Sequence, residues 1–547
     1  MLPHYLIKNI LEEYLNSISL HTDFKRIISE KLSLICKEWN SKILPLINCK
    51  KKMQLSSVDQ LKSPKLDLLV RYGIDVPVTL LCRKQVLDFK EITNEHSLCL
   101  HMIREILCLN NRDQAFKGEL NYENSFSHWL ALKNLITLSI HSIKIDFHCI
   151  NGNQQIENLF LSLESLKLHS NSNGSEFNGI DELFVILSKS VKLRNLSLIN
   201  KSHPFGHKCL HLIPMFKSIY SLTLSAYELS SETLIKIITH SSALKQLICS
   251  DLSFIDNSIE IAYQKIFQTL STDKKLSTIY FRISSLGIEV DEYIVNFFNQ
   301  NNSCKDFGFY NGSNPAPKHS QDIKSITDSK NYKIINNSIE KLVISTMDSV
   351  TIENYIHWWQ YNCSIKTLVL ENLHSLIEHI FEMKSLQDIQ LLNFNNLESL
   401  DNIVTLITYN MKSLKNLRFS SLYGLEIYES LKLNDHIKVL HMKYTVIEMW
   451  NPIILETLQK LNHLQIIFTQ ISNSAKIFPL LVQLLEQNQN LSAIEVVGLV
   501  YFSNPTTYQL IELNNIFKRK YTQFQTLKIG CDCNNFKNLL QSYGIQF

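Results

Sequence analysis

One pattern recurs along most of this chain, apolar-x-x-apolar-x-apolar, and it restricts the fold more than any other feature. LKNLITLSI, LESLKLH, LRNLSLI, LKQLICS, IKTLVLE and LKNLRFS are copies. The first apolar positions are Leu135, Leu163, Leu193, Ile219, Leu244, Leu276, Ile339, Ile365, Leu386, Leu414, Ile437, Leu491 and Phe524, with a poorer match at Leu461. Neighbouring copies mostly stand about 21 to 35 residues apart, which is the spacing of a repeat array. Such an array escapes the size limit that 547 residues would place on one core, because each unit buries its face against its neighbours.

The last two apolar residues of each copy are two apart. They point to one side of a strand, and the residues beside them point to the other. Parallel strands stacked this way need a crossover of at least about ten residues. The intervals supply it: GIDELFVILSKS, LSSETLIKIITHSS, DEYIVNFFNQ, TIENYIHWWQY and NIVTLITYNMKS show apolar residues at helical spacing, with Ser231 placed as an N-cap. Each unit therefore reads as strand, turn, helix, return, and the fold class as α/β.

Two stretches break the rhythm. Residues 311–337, rich in Ser, Asn, Lys and Pro, read as a polar insertion dividing the array into a first part, 85–310, and a second, 338–547. Residues 49–84 read as a connector between the array and an N-terminal helical module at 1–48.

The module is amphipathic. Leu6, Ile10 and Leu11 share a helical face with Leu15 behind them, while Lys8, Glu12 and Glu13 lie elsewhere. In LSLICKEWNSKIL, Leu32, Ile35, Cys36, Trp39 and Ile43 follow the same spacing, so Cys36 and Trp39 share the face of a second helix. So few residues cannot bury that surface alone, and a partner or the array must cover it.

Composition narrows the partners. A formal charge of +3 gives no electrostatic reason to expect nucleic acid or an anionic membrane. The twelve cysteines form no CxxC pair, and Cys108 and Cys249 fall at strand positions otherwise held by Leu or Ile, where a thiol acts as a small apolar filler. A reducing compartment fits. The first fifteen residues contain Lys8, Glu12 and Glu13 and leave no apolar h-region, so the expectation is cytosol or nucleus. The triplets Asn173-Gly174-Ser175 and Asn362-Cys363-Ser364 would be glycosylation acceptors only with secretion.

Leu-Pro-x-x-Leu, an Ile-Leu pair and Cys-x-x-Trp together resemble the F-box, carried here by Leu2, Pro3, Leu6, Ile10, Leu11, Cys36 and Trp39. From Gln85 onward the chain resembles the leucine-rich-repeat family, most closely its helix-bearing classes. The resemblance implies a leucine-rich-repeat solenoid behind an F-box that docks on a Skp-type adaptor and the cullin core of an SCF-type ubiquitin ligase. It also departs from the family. Where an Asn or Cys usually ties successive turns after the strand, this chain has Ile143, Leu252, Met347, Leu373, Phe394, Leu422 and Leu499, with Asn171 as the exception. The alternative reading is a stand-alone repeat scaffold or regulator, of inhibitor or GTPase-activating type, whose N-terminal helices only cap the first repeat.

The residues flanking the last apolar position should form the concave binding face: Lys167, His169, Thr223, Tyr280, Arg282, Glu371, Arg418, His441, Lys443, Glu495 and Lys528. That face reads as mildly basic, suited to an acidic or phosphorylated target protein. Tyr280, Arg282, Arg418, His441 and Lys443 are its strongest candidates.

Chemistry is not signalled. GxxxxGK[ST], GxGxxG and HExxH are absent, so no enzyme and no cofactor are expected. His374 and His379 are about 140° apart on a helix, poor geometry for a shared metal. Cys531 and Cys533 lack a second ligand pair, Lys518 to Lys520 suit a helix C-terminus, and Trp358 and Trp359 suit helix packing.

Overall fold

The computed structural model describes residues in 7–12, 43–44, 53–55 and 66–82, and most of 100–109, 132–170, 177–200, 205–283, 291–311, 332–345, 356–392, 397–419, 426–442, 465–468, 477–487, 493–496, 504–519, 526–529 and 533–545. The chain forms two compact units, 1–276 and 277–547.

In the first unit, strands β1 (Met53–Leu55), β2 (Val78–Cys82), β3 (Ile103–Leu109), β4 (Thr137–His141), β5 (Ser165–Ser170), β6 (Asn195–Asn200), β7 (Ser221–Ser225) and β8 (Gln246–Ser250) pair in parallel, each with the next in the chain. The repeat pattern sets the register. Leu138, Leu166, Leu196, Leu222 and Leu247 stand level across successive strands, all buried. Each such leucine is worth about 1.5–3 kcal/mol relative to exposure. Cys108 and Cys249 sit in the adjoining inward row and are likewise buried.

Helices α1 (Gln154–Ser162), α2 (Ile180–Leu187), α3 (Ser231–His240) and α4 (Ile259–Thr272) supply crossovers. Asn153 caps α1, its Oδ1 accepting from the N–H groups of Gln155 and Ile156. The cap of α3 is Ser230 rather than the expected Ser231. Ser230 has the extended backbone a cap requires and its Oγ accepts from Thr233 N–H, while Ser231 is the first helical residue and is buried.

The second unit repeats the plan. Strands β9 (Thr278–Ile283), β10 (Asp306–Asn311), β11 (Lys341–Ser345), β12 (Thr367–Leu370), β13 (Asp388–Leu391), β14 (Asn416–Phe419), β15 (Val439–Met442), β16 (Gln465–Phe468), β17 (Ala493–Val496) and β18 (Thr526–Ile529) again pair in parallel in chain order. Its helices are α5 (Asp291–Gln300), α6 (Ile377–Phe381), α7 (Leu397–Thr408), α8 (Glu426–Leu431), α9 (Ile477–Gln487), α10 (Thr507–Arg519) and α11 (Asn534–Ser542). Aromatic packing anchors its start: Phe298 lies 4.8 Å from Phe307 and 5.0 Å from Trp359, both edge-on. Both units are α/β ladders of parallel strands with helical returns, compatible with a solenoid-like fold.

Three boundaries differ from the sequence reading. β1 and β2 lie inside the expected connector, 49–84, so the ladder begins before Gln85. A further copy of the repeat starts at Cys304, whose thiol takes the place of Leu or Ile, and forms β10. β10 and β11 pair directly, Asp306 level with Lys341, so the insertion joins neighbouring strands and the ladder continues across it. Residues 312–331 of that insertion lie outside the described residues.

The turn-tying polar residues sit at the opposite end of the strand from the family position. Leu252 and Leu373 are simply buried. Instead, Ser190, Asp273, Asn301, Asn336, Asn362 and Asn434 each stand three residues before the first apolar residue of a copy, where the helix turns into the strand. Each folds its own turn by accepting from backbone N–H groups two or three residues on. Several also reach the preceding repeat: Asn336 Nδ2 donates to Phe298 O and Asn301 O, Asn362 Nδ2 to Asn336 O, and Asn434 Nδ2 to Ile407 O. Buried Asn362, so engaged, is not accessible as a glycosylation acceptor in the folded chain.

Candidate partner-binding face and N-terminal module

Alternation along the strands sends one set of residues outward and aligns it across the ladder. In the first unit the central outward row runs Leu107, Ser139, Lys167, Ser197, Thr223 and Ile248. Lys167 is exposed, and His169, one step along the same face, packs against His141 with ring centroids 4.0 Å apart. His141 shares a 2.8 Å hydrogen bond with Ser139. This part of the face is polar and internally bonded.

In the second unit the same row runs Tyr280, Gly308, Val343, Val369, Gln390, Arg418, His441, Ile467, Glu495 and Lys528 by backbone register. It is less open than the sequence implies. Gly308 leaves space that the Tyr280 ring fills: a Cβ there would stand 2.4 Å from Tyr280 Cδ1 and 3.0 Å from Val343 Cβ. Tyr280 is half-buried, and Val343 and Val369 are buried although they face outward. Asp306 and Lys341 flank this apolar strip, with Lys341 Nζ 6.0 Å from the Tyr280 ring centroid.

Electrostatics follows from that packing. Burial, reinforced by the Asp306 carboxylate and Cys304, pushes the Tyr280 phenol up to about 12. Burial also raises the Asp306 carboxyl, with Lys341 opposing and Glu340 adding to the rise. Arg418 is engaged rather than free: its Nη2 lies 3.1 Å from Asp388 Oδ2, on a neighbouring strand. The basic character expected of the face rests on the two rows that flank the last apolar position, whereas Asp306 and Asp388 lie in the row before them. The side chains of Arg282, His441, Glu495 and Lys528, and all of Glu371 and Lys443, lie outside the described residues.

At the N-terminus, residues 7–9 and 11–12 are helical, with Ile7 and Leu11 buried and Lys8 paired to Glu12 at 3.5 Å. Ile43 and Leu44 are buried. Leu11 and Ile43 belong to the expected apolar faces, whereas Ile7 is not among the residues expected on them. Leu2, Pro3, Leu6, Ile10, Cys36 and Trp39 lie outside the described residues.

Among the described residues, no group of three His, Cys, Asp or Glu side chains could hold a metal. The Cys209 and Cys249 thiols are pushed upward, burial being the main cause, and so are held from the reactive thiolate. His374 lies outside the described residues, while His379 packs on His357 and both share Gln360 Oε1. Trp358 and Trp359 are buried, and α10 ends at Arg519 as its basic terminus suggests. No helix among the described residues is long and apolar enough to cross a membrane. Within each unit the parallel register lines up mixed polar, aromatic and aliphatic side chains from strand to strand. No protein-family model matches this chain, and no curated protein matches it in sequence.

Proposed function

We propose that this chain is a substrate-recognition subunit of an SCF-type ubiquitin ligase. The N-terminal F-box-like helices bind a Skp-type adaptor, and the leucine-rich-repeat-type ladder holds a target protein on its outward face. The observation that carries the reading is the ladder itself. Parallel register aligns side chains from successive strands within each unit, and residues at F-box spacing precede the ladder in the sequence; together these support a chain that joins two proteins. The test is adaptor pulldown with the full chain, with residues 1–48 deleted, and with Leu6→Ala/Trp39→Ala. Binding by the full chain and loss in both variants supports the reading, since a buried aromatic anchor commonly costs about 2 kcal/mol or more when truncated. Undiminished binding by the double variant, or no binding by the full chain, rejects it.

A second reading is favoured by one observation. Leu44 is buried within the chain and lies close in sequence to β1, the first strand, which is where a cap belongs. In that reading the chain is a stand-alone scaffold or regulator. Deleting residues 1–48 would then lower the melting temperature of the first unit with no adaptor bound at any stage.

A further inference from the structure

One edge of the second unit carries large apolar side chains that its fold does not require. Ile335, Tyr361, Tyr409 and Leu433 are 68%, 60%, 56% and 62% exposed. All lie where a helix or its equivalent turns back into a strand. Single exposed hydrophobics need no explanation, but a contiguous row does.

Contacts between successive turns show that this is a row. Asn362 Nδ2 donates to Asn336 O, joining the turns of Ile335 and Tyr361. Ser385 Oγ donates to Ile365 O, joining the next pair. The Phe381 ring then stacks on Tyr409, centroids 3.7 Å apart and 8° from parallel. Asp435 N–H donates to Asn410 Oδ1, bringing in the turn of Leu433.

The first unit provides an internal control. Ile335, Tyr361 and Leu433 each immediately precede a turn-tying asparagine, and the equivalent places before the ties Ser190 and Asp273 hold Lys189 and Thr272. Polar residues therefore satisfy this position. The apolar stripe is not a cost of the architecture.

Charge and spacing indicate the occupant. Lys333, Lys366, Lys384, Lys412, Lys432 and Lys438 lie within five residues of the stripe positions in sequence, Lys333 Nζ lying 5.5 Å from the Tyr361 ring centroid. Acids within the same span are Glu340, Glu378, Glu382, Glu429 and Asp435, and Glu340 is bonded to Lys366 at 2.8 Å. Strands in a sheet repeat about every 4.8 Å, close to the roughly 5.4 Å pitch of an α-helix. Apolar residues at i, i+3, i+4 and i+7 of a helix lying along the edge would meet successive turns, with acidic residues reaching the lysines on either side.

We infer that the edge formed by Ile335, Tyr361, Phe381, Tyr409 and Leu433 docks an acidic amphipathic helix of a partner protein. This surface is separate from the outward strand face and does not depend on adaptor binding.

The test uses the full chain and a fluorescent peptide of about 18 residues, with Leu and Phe on one helical face and Glu elsewhere. A scrambled peptide of identical composition, and vesicles of phosphatidylserine and phosphatidylcholine, serve as comparisons. Expected are peptide binding that weakens with salt, much weaker binding of the scramble, and loss of about tenfold or more in Ile335→Ser/Tyr361→Ser/Leu433→Ser. A parallel Lys412→Glu/Lys432→Glu/Lys438→Glu variant should lose binding with its melting temperature unchanged. Equal affinity for the scramble, binding to vesicles but not to the peptide, or an unaffected apolar triple variant would each overturn the inference.

Discussion

Asn362 offers the most direct test of what holds successive repeats together. Its side chain is buried and fully engaged: Nδ2 donates to Asn336 O at 2.7 Å and Ile334 O at 3.3 Å, and Oδ1 accepts from Ser364 N at 2.8 Å and Ser364 Oγ at 2.5 Å. Asn362→Ala leaves at least two buried groups, Asn336 O and Ser364 N, without these partners. Each unsatisfied buried group costs about 1–3 kcal/mol, and a water entering the vacated space would recover part, so about 2–4 kcal/mol is expected. Urea unfolding followed by tryptophan emission reads the effect, with Trp359, buried and accepting through its carbonyl from Asn362 N–H at 2.8 Å, among the five reporters. Asn337→Ala, at an exposed neighbour, should stay within about 0.5 kcal/mol. Ser364→Ala combined with Asn362→Ala should cost less than the sum of the two, since the hydroxyl loses the same bond in both. A loss below about 1 kcal/mol for Asn362→Ala, or one equal to that of Asn337→Ala, would refute the claim that these turns are tied by their amides.

Gly308→Ala should destabilise the second unit by about 1–3 kcal/mol through overpacking, and Tyr280→Ser in the same chain should relieve most of that; additive losses would show that the ring does not occupy the space above Gly308. Asp306 has a carboxyl raised by burial, so its contribution is fully present below the unfolded carboxyl value of about 3.9 and is lost as pH rises through the raised folded value. Asp306→Asn should therefore match the parent near pH 3 and melt higher at pH 7, whereas lower melting at pH 7 would make the Lys341 attraction dominant. A protease site engineered within 312–331 should yield two fragments that co-elute after cleavage, because β10 and β11 pair directly on either side; separation on gel filtration without denaturant would contradict that pairing.

The inward rows were legible in the sequence because they rest on identity and spacing alone. Leu166, Leu196 and Leu222 sit level in the ladder as their repeat copies require. The copy that starts at Cys304 escaped that pattern because a thiol stands where the others have Leu, Ile or Phe, although Phe307 and Phe309 follow it at the proper spacing. The turn ties were visible too, but on the other side of the strand. Asn301, Asn336, Asn362 and Asn434 all precede their copies by three residues. No shift in composition marks the division at Leu276 and Ser277.

The outward face was harder for a physical reason. Direction follows from alternation within one strand, but the state of an outward side chain is decided by neighbours on other strands. Tyr280 lies low because the residue level with it, Gly308, has no Cβ, and Arg418 is neutralised by Asp388, thirty residues earlier in the chain. The edge stripe separates what the fold demands from what it permits. The polar tie at Asn336, Asn362 and Asn434 is needed to satisfy buried backbone, and the apolar residue just before each tie is not, since Lys189 and Thr272 fill that place in the first unit. Residues that stability does not require, repeated on successive turns beside exposed lysines, are what a binding edge must retain.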